Sequence, residues 1–204
     1  DQLPVVLPEP TAVMALEQLQ KNLGQFGALA AIALAMGSVS GELDRGTAAL
    51  VLAQPATRPA FLVAKLAALA VVLATCTVLA VAVAWVYTAI LFEPLPIGGW
   101  VVLAALAWLA LLAWAAITFL ASTATGSTTA AAGLGFVALI GLSILAVIPA
   151  IDHVLPTGLT LPSILIASGQ AVDAGALATA VLGTVVLVAA CVAGAVAAFA
   201  RREL

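Results

Sequence analysis

The side chains that could do chemistry are few and lie far apart in the sequence. His153 is the only histidine. Asp152 precedes it, and two ligands from adjacent positions fall short of the three or four that hold a zinc-type ion. Ser143 stands in Gly-Leu-Ser-Ile. That is not the Gly-x-Ser-x-Gly turn that exposes a nucleophile. No glycine-rich stretch ends in Gly-Lys-Ser or Gly-Lys-Thr, so ATP phosphates find no backbone cradle of that kind. Cys76 and Cys191 both fall in apolar runs and read as small buried hydrophobes rather than a disulfide. The expectation is a chain that is not an enzyme, with no catalytic set, no metal and no cofactor of its own.

Charge is concentrated in one place. The chain has six basic and nine acidic side chains. Five of them, Glu42, Asp44, Arg45, Arg58 and Lys65, lie in one connector between two long apolar runs. Lys and Arg in a short loop mark the cytoplasmic side of a membrane protein. Between the charges the sequence predicts a short helix, Thr47 to Gln54. Gly46 loosens its start, and Pro55 and Pro59 stop it from continuing. Leu50, Val51 and Leu52 give it an apolar side that a membrane or a partner could cover. The plain alternative is an ordinary charged loop between helices.

What must position this connector is a set of membrane helices. The chain is 65% hydrophobic and 7% charged, with a mean hydropathy of +1.30. Soluble domains carry roughly 25% charged residues. The expected fold is an all-α integral membrane protein, a polytopic helical bundle in a single transmembrane domain over residues 1–204. Five spans are visible, at 26–41, 61–92, 98–121, 130–148 and 176–200. Residues 1–24 read as an external segment leading into a helix. They are no signal peptide, because no basic start precedes a short apolar core.

Residues 42–60 read as the cytoplasmic coupling segment and 149–175 as an external connection. In the latter, Pro162 suits a first helical turn, and Ser163 to Ser168 is too short to cross a bilayer, so a re-entrant or interfacial piece is expected. Asp173 is placed to cap the last span. Gly37 and Gly41, and the series Ala190, Gly194, Ala198, are small-residue pairs of the kind that let helices approach. Arg201 and Arg202 put the C-terminus inside. Thr75, Thr77, Thr88, Thr118 and Ser143 could line a pathway or bond back to their own helices. No Asp or Glu falls at mid-span, which argues against a carrier driven by ions or protons. No basic face points to nucleic acid.

The connector also resembles a known family. Glu42, then Gly46-Thr47, a short apolar turn, Pro55, Arg58 and Lys65 follow the pattern of ABC-2 type permeases, the integral membrane subunits of ABC exporters. The resemblance extends to the hydropathy plan of nearly the whole chain. It implies a coupling helix between the first two visible spans that touches a separate cytoplasmic ABC ATPase, which binds the ATP. The contact residues would be Glu42, Asp44, Arg45, Gly46, Thr47, Leu50, Pro55, Arg58 and Lys65. It implies a second permease copy or homologue completing a dimer, contact with membrane lipid, and export. Six spans beginning inside are usual there, so a first helix upstream of Asp1 is expected. The location implied is a bacterial plasma (inner) membrane, multi-pass, with the C-terminus cytoplasmic. The competing class is a non-transport scaffold or assembly subunit of a larger membrane complex.

One outcome follows at once. The purified chain, free of partners, should hydrolyse no ATP. Phosphate release above that of an empty-membrane control would contradict this division of labour.

Overall fold

The computed structural model describes residues 10–44, 57–92 and 95–201. Every regular element among them is helical. That is the solution hydrocarbon demands, because a helix satisfies its own backbone N–H and C=O groups where no water can.

Helix α1 (Ala12–Asn22) begins at Thr11, whose hydroxyl accepts from the Met14 N–H. It passes through one π-helical turn, Leu23–Gly27, into α2 (Ala28–Met36). Residues 12–24, expected ahead of the first span, are therefore helical and continuous with it. After the turn at 37–39 a short α3 (Ser40–Asp44) leads into the connector. Helix α4 (Arg58–Leu91) follows the connector, with the Thr57 hydroxyl accepting from the Ala60 N–H and Pro59 in the first turn.

Helix α5 (Ile97–Thr125) ends at Gly126, in the left-handed region at φ 68°. Helix α6 (Thr128–Leu145) starts from a Ser127 cap. The second connection holds α7 (Pro149–Asp152), a 3-10 turn (Pro156–Leu159) and α8 (Thr160–Ala167). Asp173 caps α9 (Ala174–Ala200), accepting from the Gly175 N–H at 2.8 Å. Five helical segments are long and apolar enough to cross a membrane. The eight residues of α8 are too few.

Helix α5 is the hub. It packs against α2, α4, α6, α8 and α9. In its most apolar window 56% of residues are buried, against 33% or less in every other span. The bundle has two ends. At one, Val39, Phe61, Leu62, Phe119, Ala195 and Phe199 form a cluster that joins the connector's flanks to the C-terminal turns of α9. At the other, Leu16, Val81, Trp100, Leu103 and Ala167 pack together, and Leu106, Leu159 and Ala180 extend that packing beneath the 3-10 turn.

Burial on α4 falls on a narrow stripe: Leu62, Leu73, Thr77, Val81 and Thr88. Phe61 is buried at the start of the helix, and the opposite face is exposed, including Val71, Leu79, Val83 and Ile90. Cys76 sits on this exposed face and Cys191 is buried. Hydropathy is nearly uniform around α4, so it marks the span without marking the face; the buried threonines mark it better.

Close backbone contact adds to the packing of side chains at the second end. Gly99 at the start of α5 lies against Ile166 and Ala167, where an added Cβ would sit 2.8 Å from the Ala167 Cα. Gly183 on α9 lies against Val154, with 3.0 Å from an added Cβ to the Val154 carbonyl carbon. Close backbone approach of this kind supplies the dispersion contact that binds helices when lipid tails are as apolar as leucine. The Gly37 and Gly41 pair does not act this way: Gly37 ends α2, and none of the described residues lies within 4 Å of a Cβ on Gly41.

The two kinds of glycine should respond oppositely to alanine. Gly183→Ala should lower stability, by about 1–3 kcal/mol of overpacking less the helix-propensity gain of up to about 1 kcal/mol. Gly133→Ala, where nothing lies within 4 Å, should be neutral or slightly stabilising. Thermal unfolding in one detergent decides it; equal shifts would show that the Gly183 backbone contact is unimportant.

Candidate functional site: the flanks of the connector

The connector leaves α3 and returns in α4, and its two flanks are tied together. Glu42 accepts from the Lys65 ammonium in an ion pair between residues 23 apart in sequence. Phe61 and Lys65 are i and i+4 on one face of α4. The ammonium lies over the Phe61 ring, 5.5 Å from its centroid, within reach of a cation–π attraction. Phe61 in turn stacks on Phe199 of α9, with centroids 5.9 Å apart and planes 20° apart. A charge on α3, a cation on α4 and two rings thus connect three helices at one end of the bundle. Lys65 and Glu42 keep 26% and 29% of their side-chain surface exposed. At that exposure the pair itself contributes about 0–1 kcal/mol, because solvent screens it.

A drier polar contact lies just behind. Ser40 is fully buried. Its N–H donates to the Ser122 hydroxyl at 3.1 Å, and its own hydroxyl donates to the Met36 carbonyl at 2.9 Å. The Ser122 hydroxyl donates back to Ser40 Oγ at 3.2 Å, and Thr128 Oγ1 lies 2.9 Å from the same atom. This fixes α3 against the turn between α5 and α6. Where water is excluded, leaving one such group unpaired costs about 1–3 kcal/mol, more than the exposed ion pair returns.

Of the residues expected at the ATPase contact, the structure brings Glu42 and Lys65 together. Asp44 ends α3 and Arg58 opens α4, so both lie where the connector begins and ends. Arg45, Gly46, Thr47, Leu50 and Pro55, and with them the helix expected over Thr47–Gln54, lie outside the described residues. Phe61 could have been found from its i, i+4 spacing to Lys65. Phe199 and the Ser40–Ser122–Thr128 contact carried no local signal, since the serines are 82 residues apart.

Elsewhere the polar groups serve the helices. The Thr75, Thr77, Thr118 and Ser143 hydroxyls each donate to the carbonyl one turn back, at 2.7–3.0 Å. Asp152 accepts from the Thr157 hydroxyl at 2.8 Å. Among the described residues no three His, Cys, Asp or Glu side chains converge on a point that could hold a metal ion.

Five long apolar helices, one of them central, define a polytopic helical membrane protein. Residues 12–204 match the family described as ABC-2 family transporter protein, and the chain belongs to that family. It is the membrane-embedded permease component of an ABC transporter. No curated protein matches the sequence.

The two polar contacts should separate by magnitude. The coupling energy between Glu42→Gln and Lys65→Met in a double-mutant cycle should be about 0.2–1 kcal/mol. Ser40→Ala should cost more, about 1–3 kcal/mol, by stranding its buried partners. Unfolding in mixed micelles measures both, and the reverse order would show that the ion pair is the stronger tie.

Proposed function

We propose that this permease works as an exporter subunit, one of two copies or homologues lining the pathway. A separate cytoplasmic ABC ATPase would grip it through the connector from Glu42 to Lys65. The observation that carries this reading is the tied base of the connector. Glu42 and Lys65 hold α3 to α4, and the rings of Phe61 and Phe199 pass that contact to α9. A push on the connector therefore moves at least three helices together, as a coupling element must.

The ATPase binds the nucleotide, and its closure on ATP supplies the push. Asp44, Arg45, Gly46, Thr47, Leu50, Pro55 and Arg58 lie nearest the partner, with Leu50 toward the apolar part of the contact. The connector faces the cytoplasm of a bacterial plasma membrane, as its cations require, and the C-terminus lies on the same side. The membrane lies around an apolar wall that suits amphipathic cargo.

Arg58→Ala or Glu42→Ala should weaken ATPase association or cargo movement while the protein still inserts and accumulates. The ATPase would desolvate these charges on docking, and removing one partner of a desolvated interfacial pair costs roughly 2–5 kcal/mol. Leu50→Asp should be worse. The control is Asp173→Asn, which keeps the cap on α9 and should leave association unchanged. Pull-down of the ATPase with each variant decides it. Full association and full transport in the connector variants would place the grip elsewhere.

A further inference from the structure

Three amides stand on the exposed side of the first span. Gln18, Asn22 and Gln25 follow one another at i, i+4 and i+7, the spacing of one helix face. All three are exposed. Gln18 Nε2 donates to Asn22 Oδ1 at 3.1 Å. The Gln25 side chain has no hydrogen-bond partner among the described residues. Gln25 lies in the π-helical turn Leu23–Gly27, and Gly27, at the end of that turn, faces Leu111 of α5.

The depth of this face follows from α5. Leu111 is the middle residue of Ile97–Thr125. A Cβ added at Gly27 would sit 3.0 Å from Leu111 Cδ2, so Gly27 is level with the middle of α5. The two helices run in the same direction. Leu16 clusters with Trp100, and it precedes Gly27 by as many residues as Trp100 precedes Leu111. Gln25 then lies about 3 Å outward of the middle of α5, Asn22 about 8 Å and Gln18 about 14 Å. The 29 residues of α5 are about 44 Å long, against a hydrocarbon core of about 30 Å. Even if the whole overshoot of one end, about 7 Å, displaced α5 outward, Gln25 would stay within the core's half-thickness of about 15 Å.

An amide left without a partner in hydrocarbon costs roughly 2–7 kcal/mol. Lys21, exposed one turn outward of Gln25, would add a charge to the same lipid. Water satisfies all of these groups at once. The polarity is also one-sided. Inward of Gln25, the exposed residues as far as the end of α2 are Phe26, Leu29, Ala30, Ala33 and Leu34, all apolar. A column of water entering from the outer end would stop there, where the wall no longer offers hydrogen bonds.

We propose that the Gln18–Asn22–Gln25 face lines a water-filled vestibule. It opens outside the cell, at the end of the bundle away from the connector, and closes at mid-membrane. Gln25 is its floor, where the amide bonds water or the polar group of a molecule in transit. The opposite wall is the second copy or homologue, so the assignment to a transport pathway rests on the exporter reading above. The presence of water along the face does not.

Thiol modification tests the proposal, in a chain whose Cys76 and Cys191 are replaced by alanine. Asn22→Cys, Gln25→Cys and Val71→Cys are each treated with a charged, membrane-impermeant methanethiosulfonate, in intact cells and in inverted vesicles. Val71 is the control for depth. It is 64% exposed and follows Ala70, whose carbonyl accepts from the Trp108 indole of α5, one turn from Leu111. Thiols react as thiolates, which need water, so Asn22→Cys and Gln25→Cys in intact cells should react at least about tenfold faster than Val71→Cys. Full reaction of all three in SDS shows that each variant is present in the membrane.

Gln25→Cys reacting as slowly as Val71→Cys would overturn the proposal, whether lipid, a second copy or a further helix covers it. Reaction in inverted vesicles alone would overturn it as well. ATPase pull-down on the same preparations separates the two readings. Gln25→Cys modified with no ATPase retained keeps the vestibule and removes the exporter reading. ATPase retained with Gln25→Cys protected removes the vestibule alone.

Discussion

Everything in this protein depends on the lack of water around its backbone. In hydrocarbon each N–H and C=O must be satisfied within its own segment, so the spans are helices. Burying leucine against leucine gains little over burying it against lipid. The helices are held instead by close approach and by a few polar contacts shielded from solvent. Helix α5 meets both needs. Ala113, Ala115 and Ala116 are buried in its middle. Gly99 meets backbone at one end, and Ser122 meets Ser40 at the other. Trp108 adds a bond of its own, donating from Nε1 to the Ala70 carbonyl of α4 at 2.9 Å.

The two ends of the bundle are built differently, and the difference suits a transporter. The end with α8 and the 3-10 turn is closed by backbone contact at Gly99 and Gly183, where almost no side chain can be added. The connector end is held by rings, hydroxyls and one exposed ion pair. Contacts of the first kind are stiff because close-packed backbone has nowhere to move. Contacts of the second kind range from the solvent-screened ion pair, at about 0–1 kcal/mol, to buried hydroxyls, where stranding one group costs about 1–3 kcal/mol.

The buried polar groups follow the same economy. Gln20 on α1 donates to the Ser163 hydroxyl of α8 at 2.7 Å, across 143 residues of sequence. The Ser163 hydroxyl then donates to the Thr160 carbonyl. A glutamine amide in an apolar setting needs such a partner, and the bond fixes where α8 docks. Most hydroxyls of the long spans bond to their own helices, so their presence within a span does not mark a pathway.

The sequence by itself determined that this is a polytopic helical membrane protein with five long apolar helices, and that charge is concentrated at 42–65. Those properties follow from local composition, because hydropathy over about twenty residues decides whether a segment enters a bilayer. In the second connection the helix around Pro162 and the Asp173 cap were also legible, while the helix Pro149–Asp152 and the 3-10 turn were not. What only the tertiary structure decided is which face of each helix packs and which distant residues meet. The spans are apolar on all sides, so periodicity, which shows the core face of a soluble helix, is nearly silent here. Glu42 and Lys65 were marked by charge, but their pairing across the connector was not. Phe61 against Phe199, and Ser40 against Ser122 and Thr128, could not be read from the chain at all. Contacts between helices are set by the shape of two surfaces brought together, and one surface read along its own sequence does not contain the other.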